Sequence, residues 1–377
     1  MTKTATYIDP ATEHTFPLDT PLWRSPEGNP LMISELPGIT ENDIVQGERS
    51  LWRYQKALPL KIEHPVTLGE GLTPLLSRDM PSGTLHFKLE WFAPTGSFKD
   101  RGAAVMLSYL RQAGVHEILE DSSGNGGAAM AAYGAAAGIK VRILTPATTQ
   151  AAKISQMLAF GAEVQLVSGP REESENEAIR QSAETFYASH NWQAFFLQGT
   201  KLLAYELWED FGFKAPDTIV IPVGAGSNVL GLDIGFNELL KAGQIEELPR
   251  LICAQPANCA PIHAAFQAGA TTAVPTETKP TIAEGTAIKK PVRLKQVLEA
   301  IRRSQGQTIA VSEQQIENSV RKLARMGLYV EPTSALAAAA AERLLASGHL
   351  RSDDENVVLL TGSGLKASSF MTGLFSK

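Results

Sequence analysis

The 377 residues carry 34 Lys and Arg against 40 Asp and Glu, a net charge of −6 with no basic run, so neither nucleic acid nor an anionic membrane is expected as a partner. A hydrophobic content of 44% suffices for two α/β domains, each burying a core. Cys253 and Cys259 lie in one short segment and can build neither a disulfide framework nor a zinc site, and the seven histidines form no metal-spaced pair, so no metal is expected. The N-terminus has neither the basic-then-apolar order of a secretory signal nor a transit-peptide character. No apolar run reaches membrane-spanning length, and the alanine-rich run at 335–341 reads as a packed helix. A reducing cytoplasmic setting and a small-metabolite substrate follow as expectations.

Residues 1–61 are polar, punctuated by proline and weakly periodic. They predict an extended arm with little core of its own, anchored where Leu51-Trp52-Arg53-Tyr54 packs on the body or on a second subunit. Gly69-Glu70-Gly71-Leu72-Thr73-Pro74-Leu75 reads as a turn entering a short strand. Residues 85–91 alternate like a strand, and Pro94-Thr95-Gly96-Ser97-Phe98-Lys99-Asp100-Arg101-Gly102 is a turn that carries Lys99 into a helix continuing through 103–110. In the first helical turn the positive end of the dipole disfavours an ammonium, which predicts a neutral amine able to condense with a carbonyl group.

Strands at 117–121, 140–144 and 163–167 then alternate with helices at 127–137, 151–160 and 172–189. A second series of apolar strands falls at 218–222, 251–255, 308–311 and 357–360. Apolar strands separated by helices of this length predict parallel, doubly wound open sheets, since each crossover covers a sheet face.

Three glycine turns sit at ends of these strands. Ser122-Ser123-Gly124-Asn125-Gly126-Gly127 occupies the usual ligand crevice of a parallel sheet, where helix N-terminal N–H groups can hold a carboxylate. Pro222-Val223-Gly224-Ala225-Gly226-Ser227-Asn228-Val229 has small residues that let backbone close around a phosphate, yet lacks both the Walker Gly-Lys-Ser/Thr and the full dinucleotide fingerprint. Alone, it suits a nucleotide or a plain turn. Leu360-Thr361-Gly362-Ser363-Gly364-Leu365-Lys366 is the third.

Taken together, in this order, the segments resemble the threonine synthase branch of the fold-type II pyridoxal phosphate enzymes, from about Gly69 to Lys366. The resemblance implies two open sheets with the cofactor in a cleft between domains: an arm at 1–61, a large cofactor-binding domain of 62–98 and 200–377, and a smaller inserted domain at 99–199. It implies that Lys99 carries pyridoxal phosphate as a Schiff base and serves as general base. Gly224, Ala225, Gly226, Ser227 and Asn228 would cup the phosphate, Asn125 would bond the phenolic oxygen, and Thr361 would approach the pyridine nitrogen. Ser122, Ser123 and Gly126 would grip the carboxylate of a small amino-acid substrate. A homodimer is common in the resembling family. Leu72 stands where the family's Glu-Gly-Asn-Thr-Pro-Leu element has asparagine, and Val330-Glu331-Pro332-Thr333-Ser334-Ala335 looks like its Val-Glu-Pro-x-Ser-Ala, expected to support the cofactor loop from behind.

The implied reaction converts O-phospho-L-homoserine to L-threonine and phosphate. In better-known members a segment like Asn-Ser-x-Asn-Pro-x-Arg-x-Glu-Gly-Gln-Lys-Thr helps to hold the substrate phosphate. Here the corresponding stretch, Asn191-Trp192-Gln193-Ala194-Phe195-Phe196-Leu197-Gln198-Gly199-Thr200-Lys201, keeps Gly199 and Lys201 without the arginine or serine. Thr281-Ile282-Ala283-Glu284-Gly285-Thr286-Ala287 is similar to a segment of threonine and serine dehydratases, with Glu284 either near the substrate or an exposed loop carboxylate. A dehydratase or related ammonia-lyase is therefore the alternative reading. A nucleotide-dependent enzyme and a catalytically silent amino-acid or cofactor binder are further ones.

Overall fold

Runs of Val, Ile and Leu bounded by glycine turns become strands at the centre of two separate sheets. The computed structural model describes residues 4–149 and 151–376 and divides into two units, Met1–Gly71 with Lys99–Leu202 and Leu72–Phe98 with Leu203–Lys377.

The first unit holds a four-stranded parallel sheet in the order Glu163–Val167, Lys140–Pro146, Glu117–Glu120, Phe186–Tyr187. The crossover helix Asn125–Ala137 is built almost wholly of Gly and Ala, which allows very close packing. At Gly134 a Cβ would come within 2.2 Å of the Val141 side chain, so only glycine admits this approach. The helix expected over 172–189 stops at Gln181, and Phe186–Tyr187 forms an edge strand instead. The reason is local: acidic, helix-favouring residues give way to Thr185-Phe186-Tyr187, and Tyr187, fully buried, donates its hydroxyl to Asp121 Oδ1 at 2.7 Å.

The first 61 residues contribute more core than an extended arm would. Thr6–Ile8 pairs antiparallel with both Thr15–Pro17 and Met32–Ile33. Tyr7 is fully buried, and its hydroxyl donates to that of Tyr109 at 2.9 Å, which in turn donates to Leu18 O at 2.9 Å. Tyr109 also stacks on Phe195 at 3.7 Å between centroids. Leu51, Trp52 and Tyr54 are buried where the sequence placed the anchor. Trp52 Nε1 donates to Glu70 Oε1 at 3.0 Å, while Glu70 Oε2 accepts from Tyr133 Oη at 2.7 Å, so this buried carboxylate ties the arm to the Asn125–Ala137 helix. Lys201 likewise holds the arm, through Ala57 O at 2.7 Å.

The second unit holds six strands in the order Gln307–Val311, Arg250–Pro256, Thr218–Pro222, Asn356–Leu360, Gly83–Leu89, Leu75–Met80. The first five are parallel, and Leu75–Met80 closes the edge as an antiparallel hairpin partner. The alanine run lies within the buried helix Pro332–Ala346. Lys88, fully buried on its strand, is met by Glu206 and Asp210, each at 2.6 Å, and donates to Thr73 O. Glu206 also accepts from the backbone of Leu72 and Thr73, which fixes the entry to the edge hairpin. Cys253 and Cys259 are buried free thiols. Among the described residues no helix is long and apolar enough to cross a membrane.

Two substitutions test these packing arguments. A Cβ on Gly199 would lie 2.1 Å from Arg101 O, so Gly199→Ala should destabilise the protein by about 2–3 kcal/mol in urea unfolding. Gly373→Ala, at a position with nothing within 4 Å, should shift it by less than about 1 kcal/mol. Leu72 has φ 48° and is 39% exposed, so Leu72→Asn should relieve a left-handed conformation and raise stability by about 1 kcal/mol in the same measurement.

Candidate active site

In the first unit Lys99 is the first residue of the helix Lys99–Gln112. Its Nζ lies 5.5 Å from the ring centroid of Phe196, a fully buried side chain. Gly102 makes room for that ring, since a Cβ there would meet it at 2.5 Å. Phe196 stands edge-on to His190 at 5.7 Å. His190 Nδ1 is 2.9 Å from Glu120 Oε1, and the His190 N–H donates to Glu120 Oε2 at 3.1 Å. Glu120 ends its strand, and the 122–126 turn follows directly.

That turn closes on the same histidine. A Cβ on Gly126 would lie 2.8 Å from both His190 Cε1 and Ser122 Oγ, so the glycine is what allows ring, turn and helix start to meet. Asn125 opens the helix Asn125–Ala137, Ser122 is buried, and Ser123 and Asn125 are half-buried. Lys99, Ser122, Ser123, Asn125 and Gly126 thus belong to one neighbourhood, linked through Phe196 and His190. A helix N-terminus with two hydroxyls beside it can hold a carboxylate.

Burial governs the titration of this neighbourhood. It pushes Glu120 up to about 7, against the opposing pull of the His190 N–H and the charge of Lys99. Burial, and then the Lys99 charge, hold His190 well below the usual imidazole range. Asp121 is raised by burial and by Glu120.

In the second unit the strand Thr218–Pro222 runs into the helix Ser227–Lys241 through Val223, Gly224, Ala225 and Gly226. Gly226 has φ 96°, and a Cβ there would strike Val297 at 2.4 Å. One on Gly224 would sit 2.9 Å from Gly285 O. Ser227 and Asn228 are buried at the helix start, and neither Oδ1 nor Nδ2 of Asn228 has a hydrogen-bond partner. A buried amide with both atoms unpaired is costly unless a polar group meets it, and a phosphate at a helix N-terminus would do so.

Thr361 ends the strand Asn356–Leu360 and is 2% exposed, with Oγ1 3.3 Å from Ser334 Oγ. Ser334 also bonds both the N–H and the carbonyl of Gly362, at 2.8 and 3.0 Å, and so backs the loop as the Val-Glu-Pro-x-Ser-Ala resemblance implied. Thr333 Oγ1 accepts from Gly285 N at 3.1 Å, which links this support to the Gly224 turn. Glu284 is exposed on a short turn, while its neighbours Gly285 and Thr286 form the wall behind Gly224.

Sequence reasoning missed Glu120, His190 and Phe196 as parts of these neighbourhoods. A signal existed for the first: two acids, Glu120 and Asp121, end an otherwise apolar strand immediately before a glycine turn. Nothing local marks His190 or Phe196, which reach the turn only through tertiary packing.

The model of the pyridoxal-phosphate dependent enzyme family matches residues 66–362. A threonine synthase of Methanosarcina acetivorans is 36% identical over 326 residues, covering 84% of this chain and 80% of that protein. One of Methanocaldococcus jannaschii is 34% identical over 338 residues, with 87% and 83% covered. Among solved structures, a fungal L-serine ammonia-lyase from Rhizomucor miehei shares the fold with a TM-score of 0.72 at 22% identity, covering 83% of this chain and 99% of that one. The chain belongs to the pyridoxal-phosphate dependent enzyme family, as a fold-type II lyase whose cofactor is pyridoxal 5′-phosphate.

Proposed function

We propose that the protein is a lyase of the threonine synthase type, converting O-phospho-L-homoserine and water to L-threonine and phosphate. Kinship over about four-fifths of the chain with threonine synthases supports the reaction. The unpaired, buried Asn228 amide at a glycine-lined helix start is the observation that carries the cofactor site. Gly224, Ala225, Gly226, Ser227 and Asn228 would hold the cofactor phosphate, Asn125 its phenolic oxygen and Thr361 its ring nitrogen, while Lys99 would carry its aldehyde carbon. When bound, pyridoxal phosphate supplies an electron sink for the α-carbon of an amino acid.

The remaining work belongs to the chain's own residues. Ser122, Ser123 and Gly126 would orient the substrate carboxylate at the head of the Asn125–Ala137 helix, where N–H donors and the dipole favour an anion. The Lys99 amine, once free, would take the α-proton at Nζ. The Thr361 hydroxyl, which meets Ser334 Oγ, would donate or accept a hydrogen bond at the ring nitrogen and would bring no negative charge to hold a proton there.

A second reading, an ammonia-lyase acting on threonine or serine, has one observation in its favour. The ring beside Lys99 is that of Phe196, and Phe195, Phe196 and Leu197 are all buried in the stretch where the resemblance puts a phosphate-binding arginine. The leaving group separates the readings. Purified protein given O-phosphohomoserine, threonine and serine in parallel should release phosphate with threonine only from the first. Ammonia and an oxo acid, without phosphate, would establish the second. Lys99→Ala should lower turnover by about 10³-fold and abolish the visible absorbance of the linked cofactor. Unchanged turnover would reject Lys99 as the base.

A further inference from the structure

The pair formed by Glu120 and His190 has wiring unlike that of a structural ion pair. Glu120 is fully buried and His190 is 7% exposed. The Glu120 carboxylate receives two backbone N–H groups, from His190 and Asp121, and shares one proton position with His190 Nδ1. The charged and titratable groups around it are few. Lys99 on its helix and Arg171 on the helix Arg171–Gln181 lower the proton affinity of Glu120. Asp121, which accepts from Tyr187 and Ser189 and lies 3.9 Å from Arg171, adds negative charge on the same side. The imidazole presses directly against Gly126.

We propose that Glu120 and His190 are a positioning pair that takes up one proton when a carboxylate ligand settles at the 122–126 turn, so that substrate affinity is coupled to pH through this pair. The inference rests on the carboxylate reading of that turn. With the turn empty, negative charge on Glu120 is compensated by the His190 and Asp121 N–H groups, Lys99 and Arg171. A ligand carboxylate at the start of the Asn125–Ala137 helix draws on the same cations and sets a second anion beside the first. Two buried like charges at such range cannot both persist, and the pair responds by binding a proton from solvent. One proton already lies between Glu120 Oε1 and His190 Nδ1; the added proton goes to His190 Nε2 while the first stays shared, so the hydrogen bonds that hold His190 against Gly126 survive the change.

The direction of the pH dependence follows. Glu120 titrates near neutrality in the free protein. A neighbouring anion raises its proton affinity, by about one pH unit for a partly screened like charge. Binding then draws in about half a proton per site near pH 7.5, and affinity falls about fivefold between pH 6.5 and 8.5.

Calorimetry on the holoenzyme tests this with butyrate, a carboxylate without an amino group that leaves the cofactor linkage untouched, and with butyramide as its neutral counterpart. Titrations at pH 7.5 in phosphate and in Tris separate the protons exchanged from the heat of binding. Wild-type protein should take up about half a proton with butyrate and none with butyramide. Glu120→Gln, which keeps an oxygen to accept from the backbone, should bind butyrate with no uptake. Should that variant fail to fold, the wild-type affinity profile from pH 6.5 to 8.5 decides, and a flat profile overturns the proposal. Butyrate binding with equal proton uptake in both proteins, or with none in wild type, also overturns it while leaving the carboxylate site standing. No butyrate binding to the wild type would reject the carboxylate reading of the turn and the coupling with it.

Discussion

The turn before Lys99 is held by backbone pairing that leaves it no freedom. Phe98 N donates to Thr361 O at 3.0 Å, Ser363 N donates to Gly96 O at 3.0 Å, and Ser97 bridges Gly362. The opposite side of the same segment is fastened by Glu331 N to Gly362 O and by Ser334. The strand Asn356–Leu360, through its loop, thus holds the turn as far as Phe98, the residue before Lys99. Thr361 takes part in this pairing through its carbonyl, while its hydroxyl meets Ser334 Oγ. The loop that pairs with the 96–98 turn is therefore the one that carries Thr361, the residue proposed to meet the cofactor ring.

A second constraint is the absence of side chains at four points. Gly102 admits Phe196, Gly126 admits His190, Gly224 admits Gly285 and Gly226 admits Val297, each at a distance that no Cβ could share. These positions concern closeness of approach, and only Gly226 also requires a positive φ. Anion binding at a strand-to-helix turn depends on bringing backbone donors near to the ligand, and the same lack of side chains that permits this lets a second layer pack tightly behind. Rigidity of the turns and their capacity to bind thus have one origin.

This also explains what could be read from the chain. Strands such as Thr218–Pro222 and Asn356–Leu360 announce themselves as short apolar runs, and the glycine turns after them are local patterns. Lys99, Asn228 and Thr361 are proposed as site residues from such local patterns. Residues 1–61 were read as extended because their anchors, Tyr7, Leu18, Leu31 and Trp52, are single apolar groups in a polar sequence with no period. The helix over 172–189 was drawn too long because the switch at Thr185 is two residues deep and gains its stability from pairing with Glu117–Glu120, a partner 66 or more positions away. His190 and Phe196 were invisible for the same reason: the functional content of a side chain on irregular or short helical structure lies in what packs on it.

Two sets of buried charge make the last distinction. Lys88 is matched by Glu206 and Asp210 and by a backbone carbonyl, and Glu206 by two backbone donors, so every formal charge there has an opposite one within 2.6 Å. Removing either kind of partner from such a set would leave an uncompensated buried charge. Glu120 has a neutral imidazole for its nearest partner, and its cations act from farther away. That arrangement contributes little to holding the fold together, yet it stands at the end of a strand beneath the turn best suited to a carboxylate. A cation touches the carboxylates directly where the protein needs permanence, and acts from farther away where a ligand is expected to bring charge of its own.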